Sequence, residues 1–188
     1  MSEDKSSVKF VLDKLSSVLS IGVMDRRLRI GHLSFSEFLH DPNQCPKAFL
    51  INRTEGGHKL TMACLHQMKE GLKFNICDLE TSYLLNSKVE NLSERTKEKI
   101  SGPLSYSSLY WAAHLQDIAS AQESCDPEIL EETKDFFYRR FLFWLEVMSL
   151  LEQIPAANAA LQITISSIEV RCSLILFAYV LKTNLLEI

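Results

Sequence analysis

The residues with most to offer chemically lie between positions 28 and 41, which read LRIGHLSFSEFLHD. Leu28, Ile30 and His32 alternate with Arg29 and Gly31, which is the period of an extended chain. Phe35, Phe38 and Leu39 then fall at i, i+3 and i+4, the period of a helix. Ser34 stands at the switch with Glu37 three residues on. That is a capping-box spacing, in which the serine oxygen accepts from an orphan helix N–H and the glutamate reaches back to the cap. His32 is thereby held at the end of a strand, beside a helix N-terminus. Two roles stay open for it. One is a half-buried strand histidine bonded to backbone. The other is a ring aimed at an anion, since imidazole donates to a phosphate oxygen and titrates near neutral pH.

The remaining chemistry-bearing residues form no constellation. His58 and His66 are eight apart and share a helix face only loosely, so a solvated or hydrogen-bonded role suits each better than a metal pair. Cys45, Cys64, Cys77, Cys125 and Cys172 form no CxxC pair and match no zinc spacing, which reads as buried free thiols. There is no GxxxxGK[ST] loop, GxSxG elbow, HExxH or GxGxxG. The expectation is therefore a chain that is not an enzyme, with no catalytic residue and no metal site.

The elements that must position these residues follow from periodicity. Behind the Ser6-Ser7 caps, Val8, Leu12, Leu15 and Leu19 predict a first helix, with Gly22 as its stop. Residues 23–35 are short and strand-like, with Met24-Asp25-Arg26-Arg27 as a turn or a polar lead. The order helix, small β-hairpin, helix over residues 8–40 is that of the second half of a winged-helix unit. Asp41-Pro42-Asn43 is a stop signal, and residues 48–51 predict a brief extended run. Gly56-Gly57 predicts a break, followed by a helix over residues 58–70 with Leu60, Cys64 and Met68 on one stripe and Gly71 at its end. Residues 72–79 and 83–85 are short apolar pieces suited to covering a helix.

Residues 86–99, NSKVENLSERTKEK, predict an exposed helix or loop with a thin apolar line through Val89, Leu92, Thr96 and Ile100. After Gly102-Pro103 an aromatic-rich helix carries Tyr106, Tyr110 and Ala113 on one stripe and Trp111, Leu115 and Ile118 on the next. Asp126-Pro127 opens the strongest helix signal, with Asp at N-cap, Pro at N1 and glutamates in the first turns. Phe137, Phe141, Trp144, Met148 and Leu151 repeat at 4, 3, 4 and 3, a helix–helix seam. Ile154-Pro155 ends or kinks it, and residues 156–161 resume as a short helix. From Ile163 the chain turns β-branched and apolar. Residues 172–181 carry no charge, but ten such residues are too few to span a bilayer, which takes about 20.

Composition sets the outer bounds. The 188 residues, 46% hydrophobic and 23% charged, describe a globular chain of one domain or two small ones. A net charge of −4 without any run of five basic residues argues against a nucleic-acid partner. The opening SEDKSS is unlike a secretory signal, and free cysteines fit a reducing, cytoplasmic setting.

The segment HLSFSEFL resembles the H-x-S-F-x-E/D-F-L signature that ends the winged-helix part of NACHT-type STAND NTPases and NLR receptors. Further landmarks resemble one branch, the large fungal, basidiomycete-like NACHT–WD-repeat proteins related to vegetative-incompatibility factors. They are FLHDPNQC, HKLTMACLHQM, LKFNICDLE, LSYSSLYWAAHL and FFYRRFLFWLEVMSLL, in that order. The resemblance covers residues 8–162. It implies a mainly α fold: residues 1–45 as the C-terminal half of a winged-helix unit with one small β-hairpin, and residues 46–162 as a helical, bundle-like region. Residues 163–188 are an apolar tail outside the family pattern. It also implies that His32 contacts the phosphate of a bound nucleotide and helps lock a resting state. The family's ATP or ADP with Mg²⁺ binds through a phosphate loop, an acid and a sensor arginine that precede this region, so no cofactor is expected in this chain.

The leading expectation is a non-catalytic regulatory or scaffold fragment of such a signalling NTPase, acting in fungal self/non-self recognition, that is, heterokaryon incompatibility. The alternative is a helical interaction module whose partner is another protein or a second copy, with no nucleic acid and no membrane. DNA binding through Arg26, Arg27 and Arg29 on the candidate wing is the third reading, and the acidic balance weighs against it.

Overall fold

A computed structural model of the chain describes residues 10, 12–22, 28–81, 83–121 and 126–169. The fold is mainly α, with one small two-stranded antiparallel hairpin. The chain divides into two compact units, with the boundary between Asn52 and Arg53.

The first unit holds β1 (Leu19–Ile21), β2 (Leu28–Ile30) and α1 (Leu33–His40). Leu19 pairs with Ile30, Ser20 with Arg29 and Ile21 with Leu28. The Gly31 amide adds one more bond to the Val18 carbonyl at 2.7 Å. This hairpin starts earlier than periodicity predicts. Residues 12–14 are helical, but residues 15–18 turn and Leu19 opens β1, so Gly22 does not end a helix. Strand β2 needs a hydrogen-bonding partner, and pairing with β1 overrides the helical stripe. Val8 and residues 24–27, including Arg26 and Arg27, lie outside the described residues.

Helix α1 stops at Asp41, as the sequence predicts. The carboxylate of Asp41 accepts from the Asn43 amide at 2.8 Å and from Gln44 Nε2 at 2.7 Å, offering the chain a turn in place of another helical bond. Residues 48–51 are not extended. The amides of Phe49 and Leu50 both donate to the Pro46 carbonyl, and Ile51 N returns to Leu39 O at 2.8 Å. Proline at 46 has no N–H of its own, and its carbonyl closes a tight turn instead.

The second unit contains α2 (Arg53–Gly71), α3 (Leu92–Lys99), α4 (Gly102–Ala121), α5 (Pro127–Arg139), α6 (Phe141–Leu150) and α7 (Ile154–Glu169). Helix α4 is central, packing along α2 on one side and α7 on another. Gly56 and Gly57, expected to break the chain, lie inside α2. A Cβ on Gly57 would stand 3.1 Å from Ile118 Cγ1 and 3.2 Å from the His114 carbonyl. Two helical glycines cost about 1 kcal/mol each in propensity. Burial of Gly57, Thr61, Cys64, Leu65 and Met68 along the α4 contact outweighs that. Leu60, placed on this stripe by periodicity, is exposed instead.

The core is built on Trp111 and Trp144, both 0% exposed, with their rings edge to face at 6.2 Å. Phe136 sits 5.1 Å from the first and 5.8 Å from the second. The 137–151 seam is not one helix. Arg140 adopts φ −125°, ψ −10° and caps α5 and α6 at once. No Gly or Pro marks this break. A straight helix could not turn both Phe136 and Trp144 onto Trp111, so packing decides it.

Between α2 and α3 the chain folds back over the core with Leu72, Ile76 and Cys77 buried. Asn75 and Asp78 take left-handed φ values of 49° and 50°, a conformation their side chains tolerate. Glu146 of α6 accepts from the amides of Asn75 at 3.1 Å and Ile76 at 3.0 Å, tying this bend down. Residues 83–85, expected to cover a helix, are exposed instead, Tyr83 to 95%. The polar stretch that follows is a short 3₁₀ turn (Asn86–Lys88) and α3, with its thin apolar line half-buried and Ile100 fully so. Arg95 grips Glu80 at 2.8 Å and Lys99 grips Asp78 at 2.9 Å.

Helix α7 is longer than predicted. Pro155 falls in its first turn, where a missing N–H costs nothing, and the helix runs to Glu169. Ala157, Ala160, Leu161 and Thr164 face inward. Residues 163–169, read from sequence as the start of a separate tail, continue this helix, and residues 170–188 lie outside the described residues. Among the described residues no helix is long and apolar enough to cross a membrane.

Candidate functional site

His32 lies where the strand-to-helix switch places it, in extended geometry at φ −140°, ψ 129°. It is itself the N-cap of α1, and Ser34 is not. His32 Nδ1 accepts from the Ser34 amide at 3.2 Å and pairs with Ser34 Oγ at 2.6 Å. The imidazole nitrogen therefore does the work expected of the serine oxygen. The helix begins two residues earlier than the capping-box spacing indicates, because the ring reaches the orphan N–H first. The side chain is exposed, not half-buried. With Nδ1 accepting, the neutral ring carries its N–H on Nε2, which makes no hydrogen bond to a described residue. A donor at a helix N-terminus suits an anionic oxygen.

The histidines of α2 separate. His66 is exposed and pairs within the helix with Glu70 at 3.2 Å. His58 Nε2 instead meets Asp126 Oδ2, 68 positions away, at 2.9 Å. Asp126 is the N-cap of α5, accepting from the Glu128 amide at 2.8 Å. That backbone bond, with help from His58, holds its carboxyl below the usual aspartate range. Asp126 was legible as a cap. Its link to His58 carries no local signal, since nothing near either residue announces the other.

A second group lies on the outer face of α4. Tyr106, Tyr110 and His114 stand at i, i+4 and i+8, with the Tyr106 ring centroid 5.0 Å from that of Tyr110 and 5.8 Å from that of His114. Tyr106 and Tyr110 are 43% and 44% exposed. The Tyr106 hydroxyl and His114 Nε2 are 2.9 Å apart. Burial pushes the His114 pKa down and the Tyr106 pKa up, so near neutral pH the phenol donates to a neutral ring.

Cys64 and Cys77 are poor nucleophiles. Cys45, Cys64 and Cys77 are buried and unbridged. Burial pushes the Cys64 and Cys77 thiols up, away from the reactive thiolate.

Taken together, the described residues make a mainly helical fold with a histidine-capped strand-to-helix junction. A 60-residue stretch, 30% of this chain, is 35% identical to the "Vegetative incompatibility protein HET-E-1" of Podospora anserina. The matched stretch spans 4% of that protein's length. No family model and no solved structure matches the chain.

Proposed function

We propose that this chain is a non-catalytic regulatory region of a NACHT-type signalling NTPase of fungal self/non-self recognition. The observation that carries the reading is the similarity to a vegetative incompatibility protein. It agrees with the HLSFSEFL signature and with an exposed histidine on a helix N-terminus. In this reading His32 Nε2 donates to a nucleotide phosphate held by an NTPase region elsewhere in the assembled protein. The helices of the second unit pass the resulting state on. A nucleotide biases such a switch only through its different affinity for the two states. The test fuses the chain to the NTPase region of a full-length relative and compares nucleotide dissociation with and without His32→Ala. Faster release in the variant supports the switch, and unchanged retention overturns it.

A second reading has its own observation. The Tyr106–Tyr110–His114 face is aromatic, with both tyrosines exposed, and Tyr138 and Leu142 are exposed near the 137–151 seam. Aromatic surfaces of this kind suit a protein partner or a second copy. Sedimentation at two concentrations separates the readings, since a strict monomer removes self-association.

A further inference from the structure

We propose that His58, Asp126 and Glu128 bind a single divalent transition-metal ion of the zinc class, joining α2 to the start of α5. One donor atom from each residue falls in a group whose members all lie within 4.8 Å of one another. They come from two helices far apart in sequence, so the fold brings them together. His58 Nε2 and Asp126 Oδ2 already converge at 2.9 Å.

Zinc holds nitrogen and oxygen donors at about 2.0–2.2 Å, which sets tetrahedral donors roughly 3.4 Å apart. The His58–Asp126 pair has only to open by about 0.5 Å to admit the ion. Glu128 is exposed, and rotation of its side chain closes the remaining distance. Water completes the shell. On binding, the ion replaces the hydrogen bond between Nε2 and Oδ2, and the imidazole proton resides on Nδ1.

The surroundings prepare the donors. The Glu128 amide bonds Asp126 Oδ1, which fixes the carboxylate and leaves Oδ2 turned to His58. Pro127 stiffens the backbone between the two acids. One imidazole with two carboxylates suits zinc, cobalt or nickel better than calcium, which takes six to eight oxygens. The positive end of α5 opposes a cation, by about five- to thirtyfold in affinity. Two carboxylates facing the ion exceed that.

The whole chain is titrated with Zn²⁺ by calorimetry and with Co²⁺ as the optical probe. The expected result is one equivalent bound, a Co²⁺ visible spectrum typical of nitrogen and oxygen ligands, and a higher Tm with saturating Zn²⁺. His58→Asn and Glu128→Gln each weaken binding at least tenfold, while Cys125→Ser leaves it unchanged. Glu128 is an exposed helix position, so Glu128→Gln reports even if His58→Asn disturbs folding, which far-ultraviolet circular dichroism shows. A thiolate-to-cobalt band, loss of binding in Cys125→Ser, full binding in Glu128→Gln, or no binding at millimolar metal would each overturn the proposal. The last result leaves His58–Asp126 as an ion pair only.

Discussion

Trp144 Nε1 donates a 2.9 Å hydrogen bond to the carbonyl oxygen of Ser108, and both residues are completely buried. The bond fixes α6 on α4 at the point where the aromatic core is densest. A lone indole N–H in an apolar setting costs free energy, and this bond spares Trp144 that cost.

Trp144→Ala should therefore destabilise the second unit by about 3–5 kcal/mol through lost burial and a cavity. Trp144→Phe keeps a ring but loses the Ser108 bond, and should cost about 1–3 kcal/mol. Urea unfolding followed by circular dichroism checks both. Equal stability of Trp144→Phe and wild type would show that the bond contributes nothing.

Adjacent glycines in α2 should respond with opposite signs. A Cβ on Gly56 meets nothing within 4 Å, so Gly56→Ala should stabilise by about 0.5–1 kcal/mol from propensity alone. A Cβ on Gly57 meets the His114 carbonyl at 3.2 Å, and that backbone cannot move without moving α4. Overpacking costs about 1–3 kcal/mol, so Gly57→Ala should be net destabilising despite its better propensity. Thermal melts of the two variants make the comparison.

Glu146 holds two successive amides, Asn75 and Ile76, from a different part of the chain. Hydrogen bonds to a charged acceptor contribute about 1.5–3 kcal/mol, so Glu146→Ala should lose at least that much. Amide hydrogen exchange should quicken at Asn75 and Ile76 before the helices are affected. Exchange that rises evenly across the unit would contradict this local role.

Asp126 makes part of the stability pH-dependent. Its folded pKa lies below the unfolded value, so its contribution is present above the unfolded value and fades as pH falls through the folded one. Wild type should thus exceed Asp126→Asn in stability at pH 7. The difference should shrink on acidification below about pH 4. Asn still caps a helix, so this comparison isolates the charge. A difference that stays constant from pH 7 to pH 2 would exclude the carboxylate as its source.

Sequence periodicity was a good guide wherever one helix met the core with a single face. Cys64 and Met68 in α2, and Trp111, Leu115 and Ile118 in α4, are buried as their spacing indicates. The cap at Asp126-Pro127 and the stop at Asp41 were equally readable, since both side chains bond amides two residues away. Local chemistry misled at Ser34, because the hairpin delivers the neighbouring His32 ring to the same N–H. It also misled at Gly56-Gly57, which read as a break because glycine weakens an isolated helix. In the fold a second helix lies close enough at Gly57 to need the missing side chain.

By itself the sequence determined the helical class, the hairpin before α1, the stripes facing the core and the strand-to-helix position of His32. The stripes depend on residues three or four apart and the strand on alternate residues, so spacing within one segment suffices. Tertiary structure alone decided the break at Arg140, the course of α7 through residue 169 and the pairing of His58 with Asp126. Each depends on groups brought together from distant positions by helix packing. Side-chain spacing within one segment carries no record of that.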